Sequence, residues 1–342
     1  MKNICICGHF ADGLNSYDGQ TIKTRNVYKQ LLKKYGINNV SKIDTHNWKK
    51  HPFKMLISCI NYSKKSSDII ILPAHKGLRV FIPLFNFFRK KYGFNLHYVV
   101  IGGWLFSLIK NNKFMKEQLK KVSYIYLENN KTINQLSELG LTNLYQMNNF
   151  KDLKISSYRY KYDNKIFNCC IFSRIEEKKG ISSAINVINK LNKNGIKVNL
   201  DIYGKISNDY IQSFNNKLNS SINIKYKGTI DPNQSVETIE KYDLLLFPTK
   251  YYTEGIPGTI IDSFFSGVPV LASKWENFDE IIEENETGFS FEFENDNDFY
   301  DKLKKIIINR KQLEKMRIKC KNKAKMFTPI NSLRILFKNI GD

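Results

Sequence analysis

Residues 167–180 read FNCCIFSRIEEKKG, a largely apolar run followed by a charged loop that ends in glycine. A short apolar run bounded by polar residues is typical of a buried strand. Residues 180–194 then place apolar side chains every three or four positions, which is the spacing of one helix face. The stretch therefore predicts a strand, a loop and a helix, as in a parallel α/β sheet.

The same alternation extends through the rest of the chain. In the first half it predicts strands at residues 4–7, 68–72, 96–101, 124–127 and 143–147, and helices at 21–35, 78–92 and 131–139. In the second half it predicts strands at residues 167–172, 197–203, 223–227, 243–247 and 268–272. Strands that alternate with helices favour parallel sheets covered on both faces. We therefore predict an α/β protein with two Rossmann-like, doubly wound domains.

The predicted domains are separated by residues 151–165, a polar stretch without a clear period that we interpret as a linker. The N-terminal domain would comprise residues 1–160 and the C-terminal domain residues 161–327. The tail looks helical, and Pro329 would break it, because proline cannot continue a helix. We expect a last helix, from about residue 328 to 342, to pack back on the first domain.

The composition is that of a globular protein long enough for two buried cores, with 342 residues of which 42% are hydrophobic. Its apolar runs are shorter than the ~20 residues of a membrane span, and no signal-like segment opens the sequence. We therefore expect a cytoplasmic protein. Its six cysteines show no zinc-ligand spacing, which predicts buried, reduced thiols.

The net charge of +22 is concentrated in the first half. Residues 1–165 hold 28 Lys and Arg against 9 Asp and Glu, a net +19, whereas the remainder holds 26 against 23, a net +3. A lysine-rich genome would raise Lys everywhere but does not explain why acidic residues are scarce here. Such a surface attracts anionic lipid headgroups, nucleic acid or a phosphorylated acceptor. We favour an anionic membrane surface, with residues 81–91 as a docking segment or alternatively as core, and expect no nucleic acid.

The loop after residues 167–172 carries two cations, Arg174 and Lys179, next to Gly180. Arg offers a planar fork for phosphate oxygens and Lys a compact charge, and Gly180 lets the backbone approach a ligand closely. Fixed charges of this kind stabilise a diphosphate as it leaves. The alternative is a solvated, charged loop.

A second segment, TEGIPGTIID at residues 253–262, follows another buried run. Its Glu254 and Asp262 are carboxylates suited to sugar and ribose hydroxyls. Pro257 is placed to start a helix, and the free amides around Gly255 and Ile256 would face the same edge. The alternative is a helix-start acid followed by an exposed helix residue. Together the two segments predict a nucleotide-sugar site with Arg174, Lys179 and Glu254 at the reacting centre.

Residues 172–291 resemble the donor-binding domain of the family 4 retaining glycosyltransferases, which have the two-domain GT-B fold. That family pairs an R-x4-K-G loop with a Glu-x7-Glu segment before a G-V-P-V strand. Here these are Arg174 to Gly180, Glu254 to Asp262, and residues 267–270. Gly19, which opens the first predicted helix, resembles the family's glycine-containing loop.

The resemblance implies a retaining transfer from a nucleotide sugar, a UDP-sugar in our reading, with no metal or other cofactor. It implies a glycan or lipid-linked glycan acceptor held by the first domain, in capsule, lipopolysaccharide or exopolysaccharide synthesis at the inner face of the cell membrane. The family often places a His after a strand of the first domain, but residues 101–104 read IGGW, and we assign neither His75 nor His97 a catalytic role. The sequence thus leaves the group that activates the acceptor hydroxyl unnamed.

Two other interpretations stay open at this point. One is a nucleotide-sugar epimerase or hydrolase on the same fold, and the other is a non-enzymatic binder of membrane or nucleic acid that has no use for Glu254 or Asp262. The D-x-D sequence at residues 296–298, a form that metal-dependent glycosyltransferases use, opens a predicted helix and is interpreted as a cap.

Overall fold

The computed structural model describes residues 2–14, 19–158 and 166–341. The chain forms two compact units. The first runs to Asn149 and resumes at Pro329, and the second is Phe150–Thr328. The predicted boundary lay at residue 160, and residues 159–165 of the predicted linker lie outside the described residues.

The first unit is built on a parallel sheet in the order β2-β1-β3-β4-β5-β6. Its described strands are β1 Ile4–Gly8, β2 Val40–Asp44, β3 Asp68–Leu72, β4 Asn95–Val99, β5 Tyr124–Leu127 and β6 Leu144–Gln146. The helices between them are α1 Gly19–Tyr35, α2 Pro52–Lys65, α3 His75–Tyr92, α4 Leu105–Ile109, α5 Lys113–Lys120 and α6 Asn130–Glu138. β1 and β3 are buried along their whole length, as expected for strands covered on both faces.

The second unit repeats this plan with the order β12-β11-β10-β7-β8-β9. Its described strands are β7 Phe167–Phe172, β8 Val198–Tyr203, β9 Ile224–Tyr226, β10 Leu244–Phe247, β11 Val270–Ser273 and β12 Gly288–Phe291. Its helices are α7 Ile181–Lys193, α8 Ile211–Asn219, α9 Ser235–Ile239, α10 Gly258–Ser266, α11 Phe278–Ile281, α12 Asp296–Ile308 and α13 Gln312–Ala324. The predicted fold class, α/β with two Rossmann-like domains, is confirmed.

Residues 150–158 belong to the second unit, although the sequence favoured a linker there. The Lys151 N–H bonds to the Phe327 carbonyl at 3.0 Å, and the Ser156 N–H to the Phe265 carbonyl at 2.8 Å. Between them, Leu153 and Ile155 pack against the second unit's core. Two apolar side chains in a polar stretch are too few to give a period, which is why the sequence pattern did not show this contact.

The chain returns to the first unit at Pro329, where the last helix, α14 Pro329–Ile340, begins. Thr328 is extended (φ −76°, ψ 153°), the conformation that a following proline favours. Within the first unit, the Phe337 ring meets Tyr35 edge to face at 6.1 Å, and Asn339 Nδ2 donates to Tyr126 Oη at 3.1 Å.

The sequence also gave predictions for the cysteines, for the D-x-D sequence and for membrane spans. All six cysteines are buried free thiols, and burial raises the pKa of Cys5 to about 12. Residues 296–298 open α12, where the Asn295 side chain accepts from the N–H groups of Asn297 and Asp298. No helix in the described residues has the length and apolar character needed to cross a membrane.

Candidate functional site

The carboxyl end of β7 presents Arg174 to solvent. β7 is central in the second sheet, hydrogen-bonded to β8 and β10, so the loop after it starts at the middle of the sheet edge. Arg174 is 71% exposed, and its guanidinium lies 4.0 Å from Glu176 Oε1. The side chain thus keeps its donors available for an anion.

Lys179 and Glu254 form the centre of the candidate site. Lys179 Nζ lies 2.7 Å and 3.0 Å from the two carboxylate oxygens of Glu254, with 13% and 20% of the side chains exposed. Thr249 Oγ1 also donates to Glu254 at 3.1 Å, and the Tyr251 ring lies 4.8 Å from Lys179 Nζ. An ammonium has three donors and a carboxylate about four acceptor positions, so both groups keep capacity for a ligand. The two predicted motifs therefore meet, although they are 75 residues apart.

The Lys179 loop is fixed against the loop after β10. Glu177 accepts hydrogen bonds from Ser182 Oγ at 2.8 Å and Lys250 Nζ at 3.1 Å. Tyr251 Oη donates to Glu176 at 3.0 Å, and burial together with this bond raises the pKa of Tyr251. These contacts hold the loop's charges before any ligand binds, as preorganised stabilisation of a leaving group requires. Sequence reasoning missed Thr249, Lys250 and Tyr251, because only the fold brings them beside the first motif.

Gly180 lies where the Lys179 loop packs against the loop after β10. It has φ +70°, and a Cβ there would lie 1.8 Å from the carbonyl oxygen of Pro248. Residue 180 is therefore glycine because any side chain there would clash with the backbone of Pro248. The predicted role of Gly180 toward a ligand stays a prediction.

The segment after Glu254 leads into α10. The Asn277 side chain donates to the Glu254 carbonyl at 2.7 Å, and Ile256 is buried in the second unit's core. Pro257 stands just before the helix rather than in its first turn, and its carbonyl accepts the N–H of Ile260 at 3.1 Å. The N–H groups of Gly258 and Thr259, before Ile260, have no carbonyl within the helix to bond to, which is a favourable arrangement for an anion or hydroxyl.

Asp262 is buried in α10, and it pairs with a residue from outside the motif. Lys151 Nζ donates to Asp262 Oδ2 at 2.9 Å, while among the described residues Oδ1 has no hydrogen-bond partner. Burial raises the pKa of Asp262, and the Lys151 charge opposes that rise. Asp262 is therefore not the exposed helix residue of the alternative interpretation. Its predicted role toward ribose stays a prediction, and Lys151 is an additional candidate from a segment that the sequence assigned to a linker.

The first unit has its own polar group at the carboxyl ends of β1 and β2. His9 Nδ1 lies 2.7 Å from Thr21 Oγ1, and His9 Nε2 lies 3.2 Å from His46 Nδ1. The Asp44 carboxylate accepts from the N–H groups of Phe10 and His46, which orients both loops. His46 Nε2 has no hydrogen-bond partner in the described residues, so it can donate to or accept from a ligand hydroxyl. The sequence did not indicate this pair, because the two histidines follow different strands.

The remaining residues considered from sequence have simpler environments. Gly19 opens α1, and a Cβ there would meet nothing within 4 Å, so crowding does not require glycine. His97 is buried between Asp68 and Tyr126, which is a structural position. His75 is exposed, and its ring centroid lies 5.2 Å from that of Trp104. The described ranges contain no group of three or more His, Cys, Asp or Glu that could hold a metal ion.

Comparison with known proteins agrees with the fold. Residues 160–326 match the family model for glycosyl transferases group 1. A poly(ribitol-phosphate) alpha-N-acetylglucosaminyltransferase of Staphylococcus aureus (strain COL) is 25% identical over 204 residues, which are 58% of this chain and 40% of that protein. The chain thus matches well under two thirds of that relative's length.

Two solved structures share the fold over nearly the whole chain. HepE of Anabaena in complex with UDP-glucose is 12% identical with a TM-score of 0.74, and 99% of each chain is covered. The lipopolysaccharide outer core galactosyltransferase WaaB is 15% identical with a TM-score of 0.73, again with 99% of each chain covered. Residues 160–326 thus match the group 1 glycosyltransferase family, and the chain as a whole has the GT-B fold.

Proposed function

We propose that this protein transfers a sugar, with retention, from a UDP-sugar to a glycan or lipid-linked glycan acceptor. The proposal rests on the contact between Lys179 and Glu254 at the carboxyl edge of the sheet, where Arg174 also lies. A cation pair for a diphosphate and a carboxylate for sugar hydroxyls are the two halves of a nucleotide-sugar site. The family-model match over residues 160–326 and the UDP-glucose complex of the similarly folded HepE support the same assignment.

In this proposal Arg174 and Lys179 hold the diphosphate and stabilise its charge as the bond from the sugar's anomeric carbon to the diphosphate oxygen breaks. Glu254 accepts hydrogen bonds from the sugar, and the N–H groups at the start of α10 supply further donors. Asp262, with Lys151 beside it, would face the ribose. The first unit would hold the acceptor, and its His46 Nε2 is available to a hydroxyl.

We place the reaction in bacterial surface polysaccharide synthesis, such as capsule or lipopolysaccharide, with the protein in the cytoplasm and peripheral on the membrane. The WaaB likeness and the basic first unit support this setting.

We expect a UDP-sugar to raise the unfolding temperature of the purified protein more than GDP-, ADP- or CMP-sugars do. A ligand present at 100 times its dissociation constant stabilises the folded state by about 2.7 kcal/mol. UMP is the matched control, since it lacks the second phosphate that Arg174 and Lys179 would bind, and it should protect less than UDP. Protection by no nucleotide sugar would contradict the proposed function, while UDP release without transfer to any glycan would favour a hydrolase.

We also expect the product to keep the donor's anomeric configuration and excess chelator not to abolish activity. Two protein cations, Arg174 and Lys179, would neutralise the diphosphate, which is the task that a divalent metal performs in other transferases. Proton NMR of the freshly formed linkage reports the configuration. An inverted anomer would remove the protein from the retaining class, and complete loss of activity in chelator would show that a metal shares the charge.

A further inference from the structure

Helices α2, α3 and α5 form one outer layer of the first unit. The connections from β2 to β3, β3 to β4 and β4 to β5 all run the same way across the sheet, so right-handed crossovers place these helices on one face. α3 packs against α2 on one side and α5 on the other. The connection from β1 to β2 runs in the opposite direction and places α1 on the other face.

The outward surface of this layer carries large apolar side chains. Phe53 of α2 is 81% exposed and Phe87 of α3 is 67% exposed. Ile57 and Phe114 are also mostly exposed. By contrast, most aromatic side chains of the docking segment predicted from sequence face inward: Phe81, Phe85 and Phe88 are buried in the core. The exposed apolar surface is thus supplied by three helices, of which the sequence had indicated only α3.

The same layer is strongly basic. α2, α3 and α5 together contain eleven Lys and Arg and a single acidic residue, Glu117. Helix α1 is also basic, with five Lys and Arg and no acid, yet no large apolar side chain of α1 is exposed in the described residues. General lysine enrichment therefore explains the charge of α1, but it does not explain why apolar and basic side chains coincide on the α2–α3–α5 face.

A groove of about 710 Å³ opens on this face between the end of α3 and α5. Phe87, Arg89, Lys90 and Lys121 are among its lining residues. Arg89 Nη1 donates to the Lys121 carbonyl, which holds the guanidinium at the groove. Three cations beside an exposed phenyl ring suit a lipid phosphate whose acyl chains lie next to the ring.

We propose that the α2–α3–α5 face docks on an anionic lipid bilayer, with Phe53, Phe87 and Phe114 in the interface and the flanking cations on lipid phosphates. Charge complementarity selects this occupant, because eleven cations against one acid match a surface of negative headgroups. The inference specifies the peripheral membrane placement within the proposed function, but it does not require sugar transfer to occur. Vesicle binding and donor binding can therefore fail separately.

Sedimentation with vesicles of phosphatidylglycerol and phosphatidylcholine tests the proposal. The protein should bind these vesicles at 0.1 M salt and bind pure phosphatidylcholine weakly at any salt. Because the Debye length shortens from about 10 Å at 0.1 M to about 3 Å at 1 M salt, binding should fall steeply as salt increases. Absence of binding to the anionic vesicles at 0.1 M salt would overturn the proposal.

Three variants test which surface of the first unit binds the vesicles. Replacing Arg89, Lys90 and Lys91 together by Gln should weaken vesicle binding roughly 100-fold, and Phe53→Ser with Phe87→Ser should weaken it on the order of tenfold. The matched control replaces Lys29, Lys33 and Lys34 of α1 by Gln, which removes equal charge from the other face and should change binding by less than about threefold. All replaced side chains lie in the first unit, so protection by UDP-sugar should stay as in the wild type.

Equal weakening by the α1 control would show that diffuse charge, rather than this face, binds the vesicles. Unchanged binding of the double Phe variant would exclude apolar insertion. If the protein is a dimer without lipid, and the double Phe variant is a monomer that still binds vesicles normally, the face belongs to a second copy and the proposal is overturned.

Discussion

Arg174→Ala is expected to lower the rate of sugar transfer roughly 100-fold while leaving the unfolding temperature unchanged. Loss of one preorganised charge at a leaving group commonly has an effect of this size. The side chain is 71% exposed with its nearest anion 4.0 Å away, so the fold does not depend on it. Lys179→Ala should lower the rate as much but also reduce stability, because it leaves the partly buried Glu254 without its cation.

The control for both variants is Lys178→Ala, which removes an exposed lysine from the same loop. Initial rates with saturating UDP-sugar and thermal unfolding curves give the comparison. Its rate should stay within about twofold of the wild type. Full activity of both Arg174→Ala and Lys179→Ala would place the diphosphate elsewhere.

Gly180→Ala is expected to destabilise the protein by about 3 kcal/mol or more. A left-handed conformation costs an alanine roughly 1–2 kcal/mol, and the added Cβ would also lie 1.8 Å from a backbone oxygen of Pro248. For a unit of this size the unfolding temperature should fall by roughly 6–12 °C. Because the displaced loops carry Lys179 and Tyr251, transfer should be lost as well.

The matched control is Gly195→Ala. Gly195 has φ +80°, but a Cβ there would meet nothing within 4 Å, so only the conformational cost of roughly 1–2 kcal/mol applies. Equal unfolding temperatures for the two variants would show that the contact with Pro248 does not constrain residue 180.

Where one apolar pattern dominated a segment, the sequence was sufficient to predict the element. β3 and β7 were predicted with the bounds that the structure has, because both are short apolar runs between polar residues. Helix α2 was missed because Phe53 and Ile57 face outward while Cys59 is buried, so apolar residues on both sides hide the period. β12 was missed because it is short and opens at Gly288, which weakens a strand signal.

The sequence predicted only part of the candidate site, because some of its contacts join residues far apart in the chain. Motif spacing indicated Arg174, Lys179 and Glu254, since each lies in a segment that connects a buried strand to the next helix. Lys151 lies 111 residues from Asp262, and His9 lies 37 residues from His46, so neither contact has a local pattern. Contacts of this length are decided by the sheet order, which a single sequence does not determine.

We infer that a nucleotide sugar binds where the Arg174 loop meets Glu254. A crystal structure with the UDP-sugar that protects best against unfolding tests this most directly. We expect diphosphate oxygens within hydrogen-bond distance of Arg174 and Lys179, and a sugar hydroxyl donating to Glu254. A nucleotide sugar bound at another edge of the second unit, with Lys179 and Glu254 still paired and neither in contact with it, would overturn this inference.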